Sequence, residues 1–180
     1  MPRYVALLRG INIGAKKRIS MAGLKALVEG LDHSDVKTYV NSGNVAFSTA
    51  TTRTDLDLSA EIEAALMAVH NLDVEVVVRS GEEMAAIVAS NPFPDHEDQP
   101  KNLHVSFLGE EPSPHLVEDL ARIEKGEDDY RVAGKNVYLH YPNGISGAVF
   151  MLNGFDKALA VTSTSRNWRT VLRLAEMAGE

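Results

Sequence analysis

The hydrophobic positions change period along the chain, and the changes mark its elements. Residues 4–8 form a continuous apolar run without helical spacing, which predicts a strand buried on both faces. Gly10 and Gly14 interrupt it. Met21, Leu24, Leu27, Val28 and Leu31 then recur at helical intervals, predicting an amphipathic helix with Ser20 as its N-cap. Residues 36–40 and 45–48 are short β-rich runs flanking Asn41-Ser42-Gly43-Asn44, a hairpin signal. Leu58, Ile62, Ala65, Leu66 and Val69 share one helical face. Asp55, Asp57 and Glu61 begin that helix, where the macrodipole favours acids. Residues 74–78 are another buried-type strand. The first 79 residues therefore read β-α-β-β-α-β, a ferredoxin-like plait.

The remainder is less regular. Ser80 with Glu83 is a capping box, opening a helix that Asn91-Pro92 stops. Residues 91–100 form a Pro- and Asp-rich loop, and residues 103–108 a strand. Ser113-Pro114 starts a helix with proline in its first turn. Residues 130–133 and 136–141 form a hairpin about Gly134-Lys135. A loose segment punctuated by Asn143-Gly144 and Asn153-Gly154 follows, and a last helix begins near Ser165. This half reads α-β-α-β-β-α, an incomplete plait. The expected class is α+β with two plait-like halves, residues 1–79 and 80–180. On a helical wheel of the last helix, Trp168, Val171, Leu172 and Ala175 share one face. Arg166, Arg169 and Arg173 share the opposite one. Trp168 is thus expected as an inward anchor, with the arginines outward.

Composition narrows the function classes. With 44% hydrophobic and 24% charged residues in 180, the chain reads as an ordinary globular protein, expected in the cytoplasm. It has no cysteine, which excludes disulfides, thiolate zinc sites and a cysteine nucleophile. No apolar run is long enough for a membrane helix and no signal-peptide pattern is present. The net charge of −7 conceals an asymmetry. Residues 1–28 carry six basic residues and no acid, whereas residues 29–156 sum to −15 and residues 157–180 to +2. A protein coating long nucleic acid should be basic over a wide face. This one is acidic over most of its length.

The basic residues cluster just before a helix. Lys16, Lys17 and Arg18 precede Ser20, and no acid lies in the first turn. A helix start is already electropositive, so an anion there would relieve the conflict. The loop is not a Walker A loop, because three residues rather than four separate Gly10 from Gly14 and the lysines come well before the helix. The last helix repeats the feature, with hydroxyl residues 162–165 ahead of Arg166 and Arg169. The six histidines show no HExxH spacing, and no serine sits in a G-x-S-x-G context. Neither a catalytic constellation nor a cofactor motif is expected. The acidic loop at Asp95-His96-Glu97-Asp98 reads as solvated rather than metal-binding.

Four motifs occur in order: Arg9-Gly10-Ile11-Asn12-Ile13-Gly14 with the following lysines, residues 38–47 (TYVNSGNVAF), residues 141–145 (YPNGI) and residues 164–177 (TSRNWRTVLRLAEM). Together they resemble the bacterial family catalogued as domain of unknown function 1697. The resemblance implies an α+β protein of two plait-like halves, with no established activity, cofactor or catalytic residue. One departure is visible. Similar proteins tend to continue from YPNGI into a small-residue-Ser-Lys run, whereas Ser146-Gly147-Ala148-Val149 follows here, without that lysine.

Topology supplies the candidate site. A right-handed crossover makes the first two strands parallel, so the loop after strand 1 and the turn after strand 2 share one end of the sheet. Arg9, Asn12, Lys16 and Lys17 should then lie near Ser42, Gly43 and Asn44, a mixture suited to phosphate or carboxylate. The alternative is that Ser42, Gly43 and Asn44 are hairpin chemistry and Asn12 bonds its own loop. Arg166, Asn167 and Arg169 complete the candidate set, with an anion held between the two basic clusters. A small phosphate-bearing, nucleotide-like ligand is the leading expectation. An enzyme of unrecognised type at the same edge, or a dimeric interaction module, are the others. Short RNA ranks lower, because the plait has no RNP1-like aromatic string.

Overall fold

The computed structural model describes residues 1–50 and 53–180. They divide into two compact units, Met1–Val88 with Arg173–Glu180, and Ala89–Leu172. The first holds β1 (Arg3–Leu8), α1 (Met21–Glu29), β2 (Ser34–Tyr39), β3 (Asn44–Ser48), α2 (Asp55–His70) and β4 (Val76–Ser80), followed by α3 (Gly81–Ala89). Its strands pair antiparallel in the order β2-β3-β1-β4, the order of a ferredoxin-like plait.

Alternation along the strands decides what each face meets. Ala6, Leu8, Val45, Phe47, Val76 and Val78 share a core with Leu24, Leu27, Val28, Leu58, Ile62 and Leu66 of α1 and α2. Each fully buried side chain of this size contributes about 1.5–3 kcal/mol. On the other face of the sheet, Val5, Leu7, Ala46, Val77 and Arg79 are buried as well. Burial on both faces is why residues 4–8 lack alternation in the sequence. Helix starts follow the sequence closely. Ser20 accepts from the Gly23 amide, Thr54 and Asp57 form a capping box, and Ser80 and Glu83 form another. The end of the chain returns to this unit, where Arg3 Nε donates to the Met177 carbonyl at 3.0 Å. Gly81 is required there, because a Cβ would stand 2.6 Å from the Ala178 carbonyl oxygen.

The second unit contains β5 (Leu103–Leu108), α4 (Pro114–Leu120), β6 (Asp129–Ala133), β7 (Asn136–His140), α5 (Val149–Leu152), α6 (Phe155–Ala158) and β8 (Ser163–Asn167), leading into α7 (Trp168–Gly179). Its sheet runs β6-β7-β5-β8, the same order as the first. The α+β plan of two plait-like halves therefore holds. The second half, however, carries a fourth strand where the sequence suggested the start of a helix. β8 has no apolar run to announce it. Its Ser163, Thr164 and Arg166 are buried in register with β5, Arg166 opposite Val105 and Thr164 opposite Phe107. Two four-residue helices, α5 and α6, stand where α2 stands in the first unit.

α7 consequently begins at Trp168 rather than near Ser165, with Asn167 Oδ1 accepting from the Thr170 amide at 3.0 Å. Trp168 is buried, as expected. Arg166 is not on the outward stripe, because it precedes the helix and the strand turns it inward. Leu172 also departs from the wheel, being 37% exposed, while Leu174, Met177 and Ala178 are buried.

The two sheets correspond in detail. Leu8 and Arg9 amides donate to Gly43 and Glu75 carbonyls, just as Leu108 and Gly109 amides donate to Lys135 and Thr162 carbonyls. Arg79 faces Val5 where Arg166 faces Val105. Among the described residues no helix is long and apolar enough to cross a membrane.

Candidate functional site

The loop between β1 and α1 is held at both ends by apolar anchors. Ile11 and Ile19 are buried, while residues 13–18 between them are exposed. The Asn12 amide donates to the Lys17 carbonyl at 2.9 Å, closing the tip. The Asn12 side chain then binds in three directions. Nδ2 donates to the Ile19 carbonyl at 2.9 Å and to the Asn41 carbonyl at 2.8 Å, and Oδ1 accepts from the Ile19 amide at 3.1 Å. Both amide hydrogens are thereby used. Asn12 fixes the loop rather than presenting free donors, as the alternative reading of the sequence anticipated.

The facing turn, residues 40–43, is also largely self-satisfied. Asn44 is buried and its Nδ2 donates to the Tyr39 carbonyl and to Ser42 Oγ, at 2.9 and 3.0 Å. Gly43 adopts φ +77°, and a Cβ on it would stand 2.6 Å from Ile11 Cδ1 and 2.8 Å from Leu8 Cβ. Only glycine lets Ile11 seat beneath the turn. Val40, at the start of the same turn, holds φ 47°, a left-handed conformation that is an outlier for a β-branched residue.

The cations divide. Arg9 Nη1 pairs with Glu75 Oε2 at 2.7 Å. Lys16, Lys17 and Arg18 are exposed, and their side chains have no hydrogen bond or ion pair among the described residues. They stand immediately ahead of α1, whose first turn holds no acid. A cavity of about 400 Å³ opens at this point, lined by Asn12, Arg18, Ile19, Ser20 and Asn41. Topology thus brings the loop and the turn together as the strand order requires. The lining includes Arg18, which the sequence places in the basic cluster but not in the candidate set, and Asn41, which it marks only as part of the hairpin motif. A signal existed for each: Arg18 is the last cation before the N-cap, and Asn41 the first residue of the hairpin motif.

Arg166, Asn167 and Arg169 belong to the second unit, the basic loop to the first. Arg166 is buried, with Nη1 donating to Thr164 Oγ1 at 2.7 Å and to the Ser165 carbonyl at 2.8 Å. Burial lowers its pKa to about 10. The expected outward guanidinium is therefore a structural one, because β8 aims it into the sheet face that carries Val105. Asn167 caps α7, and Arg169 is exposed on that helix. Four of the six histidines pack against other rings. His96 stacks on His140 at 3.9 Å, and His33 lies against Phe47 with Nε2 3.2 Å from Glu61. Burial lowers the His104 pKa to about 4.

A family model described as "Protein of unknown function (DUF1697)" matches residues 1–138. The chain is similar in structure to a conserved bacterial protein, SP0830 from Streptococcus pneumoniae. The TM-score is 0.78 at 21% identity, over 98% of each chain. That likeness is one of fold. No curated protein matches the sequence.

Proposed function

This chain belongs to the DUF1697 family of proteins of unknown function, a membership that brings no activity with it. From the geometry we propose that it binds a small phosphate-bearing or similar anionic ligand in the cleft between the β1–α1 loop and the β2–β3 turn. Arg18, with Lys16 and Lys17 beside it, supplies the charge. Ser20 and the start of α1 supply neutral donors, and Asn41 an amide.

One observation carries the reading, and it is internal to the chain. Both units run a strand into a helix capped by serine, Leu8 to Ser20 and Leu108 to Ser113. The second connection needs four intervening residues, 109–112, and contains Glu110 and Glu111. The first uses eleven, 9–19, and contains Arg9, Lys16, Lys17 and Arg18. The topology therefore does not require the longer basic loop. Like charges held ~4 Å apart repel by about 1 kcal/mol even in water, a cost that a bound anion offsets. None of the residues lining the cavity is an acid–base group near neutral pH, which favours binding over turnover.

Thermal denaturation with millimolar inorganic pyrophosphate, sugar phosphates and nucleotides tests this. A ligand at 100 times its Kd stabilises by about 2.7 kcal/mol. At least one of these should raise Tm, and Arg18→Ala should abolish that rise without lowering the unliganded Tm, since it removes one of the mutually repelling cations. If no phosphate compound raises Tm, the reading fails.

A further inference from the structure

One helix of the first unit is apolar on two faces. Leu58, Ile62 and Leu66 of α2 enter the core. On the outer side, every exposed residue between Asp57 and His70 is apolar as well: Ala60, Ala64, Met67, Ala68 and Val69, with Leu56 one turn before Ala60. Leu56, Met67 and Val69 are 62%, 44% and 67% exposed. A surface helix ordinarily turns charged residues outward, as α7 does with Arg169, Arg173 and Glu176. A helix that is apolar all round belongs between two packed layers.

The acids beside this face are held away from it. Glu61 pairs with Arg53 and stands 3.2 Å from His33 Nε2, and Glu63 Oε1 accepts from the Val76 amide at 2.7 Å. Asp57 is engaged in the capping box with Thr54. Past Ala68 the surface continues into an apolar recess of about 350 Å³ between α1 and α2, whose lining includes Ala26, Leu27, Leu31, Ala65 and Val69.

The order of residues along α2 fits one occupant. Leu56, Ala60, Ala64 and Met67 lie at intervals of three and four, so they form a single stripe. Its sizes run large, small, small, large, nearly the same in either direction. Two copies set antiparallel, with a two-fold axis level with the middle of the helix, bring Ala60 of each against Ala64 of the other. Leu56 of each then meets Met67 of the other, level with Ala68 at the mouth of the recess. Alanines at the crossing let the axes approach toward the near end of the usual 8–10 Å.

The charges agree. Arg53, Asp55 and Asp57 stand at one end of the helix, His70 and Asp73 at the other. Antiparallel pairing sets Asp55 and Asp57 toward His70 and Arg53 toward Asp73, and it opposes the two macrodipoles. Parallel pairing would set acid against acid at the helix starts. We propose that α2 is the face through which two copies of this chain associate, isologously and antiparallel. The 16 residues of α2 span about 24 Å, so the shared area is small and the dimer is weak and reversible.

Sedimentation equilibrium of the full chain, from micromolar to millimolar concentration, should show the mass rising from one chain toward two. Ala60→Glu and Ala64→Lys should each remain single chains over that range, because each sets an unpaired charge at the centre of the contact. Both positions are exposed and both new residues are good helix formers; circular dichroism confirms folding of each variant. An equimolar mixture of the two variants should associate again, since the introduced glutamate of one chain then meets the introduced lysine of the other. A single-chain mass of the parent at every concentration overturns the proposal and leaves the face to a partner of other chemistry. Association that persists in both variants overturns it too, by placing the contact elsewhere, as does a mixture that stays apart.

Discussion

The side-chain amide of Asn12 donates to the main-chain carbonyl of Asn41 across 2.8 Å. This bond ties a loop that follows one strand to a turn that follows another, 29 residues on. Asn12 also closes its own loop through Ile19 in both directions, and it does so from φ 57°, which asparagine tolerates better than other residues with a Cβ.

Asn12→Ala removes these bonds and leaves alanine in a left-handed conformation. Net hydrogen-bond contributions near 1 kcal/mol each, discounted for partial exposure, give an expected loss of about 2–3 kcal/mol in urea denaturation. Amide exchange locates the effect. The Ile19 amide should lose protection while β1 amides keep theirs. Unchanged protection at Ile19 would show that the clamp is not what orders the loop.

Gly43→Ala and Gly134→Ala separate backbone strain from crowding. Both glycines have positive φ, +77° and +53°, in corresponding hairpin turns, but only Gly43 is crowded, by Ile11 and Leu8. The strain alone costs about 1–2 kcal/mol, and overpacking adds roughly 1–3 kcal/mol. Denaturation should show Gly43→Ala as the more damaging by at least 1 kcal/mol. Similar losses would mean that Ile11 moves aside freely.

Val40→Asn should stabilise the protein by about 1 kcal/mol, because asparagine adopts the left-handed region at lower cost. A midpoint that stays still or falls on denaturation would show that the turn relaxes around valine.

His104 gives the fold a pH dependence. Burial lowers its pKa from 6.5 to about 4, so between these values the unfolded chain binds a proton that the folded chain refuses. Its contribution is whole above pH 6.5 and declines as pH falls toward 4. By 1.36 kcal/mol per unit, the loss approaches about 3 kcal/mol. Stability measured at pH 7 and pH 4.5 should fall less in His104→Leu than in the parent. An equal fall in both would place the acid sensitivity elsewhere.

Much of this molecule could be read from its pattern of residues. The six elements of the first plait, the Ser20 and Ser113 caps and the Ser80–Glu83 capping box follow from local chemistry, because burial period and cap bonds involve residues close in sequence. The meeting of the β1–α1 loop with the β2–β3 turn followed too, since a right-handed crossover leaves one arrangement.

What escaped the sequence was settled at long range. β8 has neither an apolar run nor strict alternation of apolar with polar residues, and its strand character comes from a ladder with β5, some 60 residues away. That ladder turned Arg166 inward, although helical periodicity had placed it outside. Which cations remain available was likewise tertiary. Arg9 and Arg18 look alike in sequence, but the residue just ahead of β4, Glu75, pairs with Arg9, and nothing among the described residues pairs with Arg18. Periodicity and capping act over a few residues, so one chain suffices to read them. The partner of a charge, or of a polar strand, depends on which distant segment the fold sets beside it.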